Sequence, residues 1–201
     1  MMTAPVPICV GPRATYVSPH FLVSKEALAY LRPTSAGTTA AGQPDFAAWV
    51  KQFSWESHIG GDMAKLSAFL ESKGATSVGA IGFCWGVWAF CKANSAGVGN
   101  LKCGVGCHPS TQLEGLMGGN EVAMFEAMTM PVLSMPAGND REELKEGGPL
   151  HALVASKGGE TEAFPDMSHG WVSRGDVGDA AVKRGVEAAM THAIAYFAKH
   201  I

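Results

Sequence analysis

Charge is scarce in this sequence and is not segregated. Only 16% of the 201 residues are charged, and 15 Lys and Arg stand against 18 Asp and Glu, leaving a formal charge of -3 without a basic block. Nucleic-acid binders carry a clustered positive face, so that class is not expected. A long hydrophobic run is missing too. The longest, "SVGAIGFCWGVWAF" (77–90), falls short of the roughly 20 residues that cross a bilayer and is broken by glycines, so no membrane span or membrane partner is expected. The opening "MMTAPVPICVGPRATY" has no positive n-region and has prolines where a signal helix would run, so a secretory signal is not expected. Cysteine is an odd five, irregularly spaced and without C-x-x-C, which suits thiols in a reducing compartment; the cytoplasm is the expected location. The glycines of "GVGNLKCGVG" (97–106) never form G-x-G-x-x-G ahead of a helix, so a dinucleotide cofactor is not expected.

What is present is enough apolar material, 47% of the chain, for one sizeable core, and the length favours a single domain over 1–201. Residues 1–44 are rich in Pro, Gly, Ser, Thr and Ala and are weakly patterned, with short runs such as "ALAYL" that suit a strand or a helical turn. From Asp45 the pattern sharpens. Helices are predicted across "DFAAWVKQF" and "GDMAKLSAFLESKG", the second with Met63, Leu66, Phe69 and Leu70 on one face and Gly74 as its stop. Then follow a strand "TSVGAIGF", a helix "VWAFCKANSAG", a strand "LKCGVGCHPS" and a helical stretch from about Glu114 to Met128. A strand "MPVLSMPAG", a helix "REELKEGGPLHALVASKG" interrupted at 147–149, a short strand "TEAF" and a last amphipathic helix from about Asp179 to Lys199 complete the chain. Strands separated by helix-length segments imply βαβ units: an α/β fold with a mostly parallel sheet and helices on both faces.

Ligands of such sheets gather outside the carboxyl ends of the strands, so the residues at strand exits carry the chemistry. Cys84 follows the first strong strand, Asn139 and Asp140 follow "MPVLSMPAG", and His169 stands in "PDMSHGW" after "TEAF". Nucleophile, acid, histidine is the chain order of the α/β-hydrolase triad, and Gly82-Phe83-Cys84-Trp85-Gly86 is the G-x-S-x-G nucleophile elbow with sulfur in place of oxygen. At that sharp turn the positions two before and two after the nucleophile must be small, because the strand and helix backbones pass close by. A thiol at a helix N-terminus faces free N–H groups that favour the thiolate. The Trp85 N–H, one residue on, is placed to receive an oxyanion. His169 would carry the proton, and Asp140 would hold its tautomer.

Each residue has a plainer reading as well. Cysteine is among the most buried residue types, so Cys84 alone suits a core position. Asp140 before "REEL" suits a helix N-cap, and His169 a loop contact. His108, at the exit in "CHPS", is the runner-up for an active-site histidine, with a structural role in the turn at Pro109 as its plainer reading. Cys103 and Cys107, four apart on a strand, face one way without a metal-ligand partner motif, so no zinc site is expected and both read as core or sheet-edge residues. Cys91, two helical turns beyond Cys84, reads as packing. His58, His151, His192 and His200 read as exposed. Asp166 and Asp176 are alternative acids, both close to His169 in sequence.

"GFCWG", "MPAGND" and "FPDMSHGWVSRGD", with "DFAAWVKQFSWE" upstream, resemble the dienelactone hydrolase (carboxymethylenebutenolidase) family, in particular its eukaryotic branch, over roughly Leu28 to Ile201. The resemblance implies an α/β-hydrolase fold, a Cys84-His169-Asp140 triad and hydrolysis of small lactones or activated esters through a thioester, without metal or organic cofactor. It also places Arg174 near an arginine that binds a substrate carboxylate. Two departures stand out. Against the family the chain is shorter at its front, with Thr34 in "YLRPTSAG" where an Asp would stand and no recognisable counterpart of the early strand and loop that carry the second oxyanion donor. Val87 replaces a glycine after "GFCWG", which implies tighter helix packing beside the elbow. If "PVPICVGPRATYVSPHFL" replaces the first strands, the exposed sheet edge invites pairing, and a homodimer would cover it. A second reading of the shorter front is a catalytically weak relative that serves as a binding or thiol-sensing module.

Overall fold

The computed structural model describes residues 8–10, 48, 50, 51 and 53–201. Five strands form one sheet in sequence order: β1 (Ile8–Val10), β2 (Val78–Phe83), β3 (Leu101–Cys107), β4 (Val132–Met135) and β5 (Glu160–Thr161). Strands β2 to β5 are parallel, and β1 pairs antiparallel with the outer edge of β2. The β2 edge that the sequence leaves open is therefore occupied by residues 8–10. The rest of 1–44, including "ALAYL" and Thr34, lies outside the described residues.

The helices are α1 (Gly60–Ser72), α2 (Trp85–Ser95), α3 (Leu113–Leu116), α4 (Glu121–Ala127), α5 (Pro149–Ser156), α6 (Trp171–Arg174) and α7 (Ala180–His200). Parallel strands laid down side by side need crossovers of one hand, which sends the connecting helices to one face of the sheet. Accordingly α2, α4 and α5 bury Trp88, Phe90, Phe125 and Leu150 with Ala80 and Val132 in one core. The opposite face needs a separate cover, supplied by α7, whose Ala189, Ala193, Tyr196 and Phe197 pack on Ile81, Val105 and Leu133. Burial on both faces explains why β2 and β3 read as continuous apolar runs rather than alternating ones. Two glycines in β3 set the distance between layers: a Cβ at Gly104 would lie 2.6 Å from the Phe90 ring, and one at Gly106 would lie 2.8 Å from Val87. Val87 thus gains its tight seat against the sheet because its partner strand carries no side chain there.

Several predicted elements shift. The helix read across "DFAAWVKQF" has Ala48, Val50 and Lys51 helical, its other residues up to 52 lying outside the described set, and a π-helical turn at Trp55–Ile59 leads into α1. Gly74, at φ +81°, follows the end of α1 as predicted. Phe69 leaves the expected buried stripe and is 47% exposed, with the Lys73 ammonium 5.5 Å from its ring centre. The helix read from Glu114 to Met128 is two helices, because Gly118 at φ +88° breaks the turn and Asn120 starts α4 afresh, its side chain accepting the Ala123 N–H. The interruption at 147–149 leaves a 3-10 turn at Glu142–Leu144 and then α5, with Pro149 in its first turn. Asp179 caps α7 by accepting the Ala181 N–H at 2.7 Å. Among the described residues no helix is long and apolar enough to cross a membrane.

Candidate active site

The turn from β2 into α2 builds the site. Cys84 is the residue between them, at φ +54° and ψ -115°, a conformation that non-glycine residues seldom adopt and that projects its side chain out of the strand-to-helix corner. The corner is held by backbone bonds: the Cys84 N–H donates to Cys107 O at 3.1 Å, and Cys84 O accepts the N–H groups of Val87 and Ser110. Strand and helix pass so closely that a Cβ on Gly82 would lie 2.6 Å from the Gly86 carbonyl carbon.

The exits of β4 and β5 bring the other two groups. Ala137 and Phe164 pair as a short extension of the parallel ladder, and the Gly138 N–H donates to Met167 O at 2.9 Å, tying the two loops together. The Asn139 side chain accepts the His169 backbone N–H at 2.6 Å. Asp140 folds back so that one carboxylate oxygen accepts the Ala137 N–H at 2.7 Å, while the other lies 2.6 Å from His169 Nδ1. His169 Nε2 then lies 3.2 Å from Cys84 Sγ. The sulfur, the imidazole and the carboxylate of the predicted trio thus form one continuous chain of contacts.

Their electrostatics follow from that chain. Burial disfavours ionisation of Cys84, but hydrogen bonds from His169 and Ser110, the charge on His169 and the Trp85 N–H outweigh it and bring the thiol below its ordinary value. The hydrogen bond to Asp140, reinforced by that to Cys84, raises His169 to about 9. Both shifts favour the thiolate–imidazolium form of the pair, an ionised nucleophile beside a proton donor. Asp140 is nearly buried and spends both oxygens on fixed donors, which locks the imidazole in the tautomer that presents Nε2 to sulfur. The Trp85 N–H opens α2 beside the sulfur, where an oxyanion would form.

Arg174 ends α6, one short turn from His169. Its guanidinium is exposed and folds over Gly170, whose added Cβ would lie 2.5 Å from Arg174 Nη2. His108 belongs beneath the site. Its ring is fully buried, meets His169 and Trp171 edge to face at centroid distances of 5.0 and 5.2 Å, and is held neutral, with burial lowering it to about 4. The histidine next to sulfur is therefore 169. Ser110, which the sequence did not single out, is a functional neighbour: its Oγ lies 3.2 Å from Cys84 Sγ.

The remaining candidates sit elsewhere. Cys103 and Cys107 are buried in the core beneath α7, and Cys91 is buried on the inner side of α2 itself; burial pushes Cys107 up to about 12 and Cys91 higher still. Among the described residues no group of His, Cys, Asp and Glu is arranged to hold a metal. Asp166 is exposed, and Asp176 is exposed with its carboxylate accepting the Gly178 N–H. His58 and His192 are exposed as expected, whereas His151 is half-buried and His200 is half-buried with its ring 4.4 Å from that of Tyr196. No protein-family profile matches the chain, and no curated protein does.

Proposed function

We propose that this α/β-hydrolase-like chain is a cysteine hydrolase of small lactones or activated esters, similar in chemistry to the dienelactone hydrolases that its motifs resemble. The observation that carries the reading is the contact chain itself, Cys84 Sγ to His169 Nε2 at 3.2 Å and His169 Nδ1 to Asp140 at 2.6 Å, seated at a strained strand-to-helix corner.

The Cys84 thiolate attacks the ester carbonyl carbon, forming a C–S bond while the C=O electron pair moves onto oxygen. The Trp85 N–H stabilises that oxyanion. As the tetrahedral adduct collapses, the C–O bond to the leaving group breaks and the His169 imidazolium gives the alkoxide its proton, leaving a thioester on Cys84 and a neutral imidazole. His169 next takes a proton from water, the hydroxide attacks the thioester, and the thiolate departs to restore the ion pair. Asp140, hydrogen-bonded to His169 Nδ1, stabilises each imidazolium stage. Arg174, exposed at the end of α6, supplies a cation for substrates that carry a carboxylate. The test is hydrolysis of p-nitrophenyl acetate and of an enol lactone by the protein and by Cys84→Ala. Turnover lost with the fold retained supports the reading. Rapid alkylation of Cys84 without ester turnover in the unaltered protein replaces it with a thiol-sensing role.

A further inference from the structure

The loop after β3 makes three separate contacts with the reacting pair. The Ser110 N–H donates to Cys84 O at 3.2 Å, the Ser110 hydroxyl lies 3.2 Å from Cys84 Sγ, and His108, two residues earlier, packs its ring edge to face against His169. Ser110 is itself only 6% exposed. A buried hydroxyl keeps a hydrogen-bond partner wherever one is in reach, and here that partner is the sulfur. His108 leaves the strand at φ +40° with its N–H on Met135 O, so the loop is aimed by backbone geometry and not by chance contact of a flexible side chain.

We propose that Ser110 is a further catalytic residue: its hydroxyl donates to the Cys84 thiolate and holds the sulfur in the rotamer that faces His169. The idea deepens the hydrolase reading and rests on it for its role in turnover, while its effect on the thiol is independent of any substrate. Sulfur in this corner has three donors around it: His169 Nε2, the Trp85 N–H and the Ser110 hydroxyl. Removing one leaves the anion with two and frees Sγ to rotate. The titratable groups packed around the pair are Asp140, hydrogen-bonded to His169 Nδ1, and the neutral His108 ring, which lies edge to face against His169 and feels the charge of Arg174. A hydroxyl-to-thiolate bond is charge-assisted, so its loss lowers the thiolate-to-thiol ratio by about tenfold at a given pH.

The experiment is site-resolved alkylation by iodoacetamide, followed by peptide mass spectrometry across pH, on the intact protein and its Ser110→Ala and Ser110→Thr variants. Ser110→Ala is expected to raise the Cys84 alkylation midpoint by about one pH unit, and Ser110→Thr, which keeps the hydroxyl, to restore most of it. Coincident Cys84 profiles for the protein and Ser110→Ala would overturn the proposal, as would a Cys84 inert to alkylation throughout. A reactive Cys84 whose midpoint responds to Ser110→Ala in a protein that turns over no ester overturns only the hydrolase reading.

Discussion

Gly82 and Gly86 meet backbone to backbone across the corner that carries Cys84. A methyl group at 82 would lie 2.6 Å from both the Gly86 carbonyl carbon and the Val87 nitrogen, atoms that cannot rotate out of its way. Strand β2 and helix α2 must part to admit it, and the sulfur moves with them. Gly82→Ala is therefore expected to lower kcat/KM for p-nitrophenyl acetate by roughly a hundredfold, the usual cost of an ångström-scale misplacement of a reacting group. Undiminished turnover in a folded Gly82→Ala protein contradicts this geometry.

The pH profile follows from the two shifted groups. Attack needs the thiolate, so the acylation rate rises with pH through a midpoint below the ordinary thiol value of 9.0. Expulsion of the alkoxide needs the imidazolium, so the rate falls again as pH passes about 9. Asp140→Asn removes the largest cause of the His169 shift, and the alkaline limb is expected to move down towards the ordinary histidine value of 6.5. Titration of the His169 ring by NMR checks this directly; an unchanged midpoint in Asp140→Asn would show that the carboxylate does not support the imidazolium.

Arg174 is expected to act on charged substrates alone. Arg174→Ala should raise KM for a carboxylate-bearing lactone by roughly tenfold, the worth of one charge-assisted contact, and leave p-nitrophenyl acetate unaffected. Equal losses on both substrates would mean that Arg174 serves the structure of the Gly170 turn instead.

Stability depends on a buried carboxylate at Glu114. Glu114 of α3 has only 4% of its side chain exposed and accepts from Trp88 Nε1 at 2.7 Å and from Lys92 Nζ at 2.6 Å, both on α2. Lys92→Met leaves that charge with a neutral partner alone and is expected to destabilise the fold by roughly 2 kcal/mol, a fall in Tm of about 4 to 8 °C. Removing one half of a buried pair costs more than the pair was worth. A thermal melt that coincides with that of the unaltered protein would contradict it.

The strand exits were legible because turn chemistry announces them. Glycines bracketing Cys84, the "PAGND" turn and the "PDMSHGW" loop each close an apolar run, and the parallel sheet then carries all three ends to one rim. Ser110 is not legible in the sequence because serine after proline in a turn has an ordinary local explanation, and only the fold shows that Cys84 lies beside it. Phe69 was in phase with the buried face of α1 but sits beyond its rim, and periodicity alone cannot tell where a stripe ends. The break at Gly118 and the burial of Glu114 were hidden for a related reason: a carboxylate in helical phase reads as solvent-facing until its partners on another helix are known. The antiparallel β1 lies in a Pro-rich stretch whose three paired residues leave no alternation to detect.

The most direct measurement is the mass of the protein mixed with p-nitrophenyl acetate and quenched in acid during steady turnover. One acetyl group is expected on Cys84, formed and discharged at rates consistent with turnover, with neither adduct nor turnover in Cys84→Ala. Ester hydrolysis that continues in Cys84→Ala at the original rate, or an acetyl group found on another residue while Cys84 stays unmodified, would contradict it.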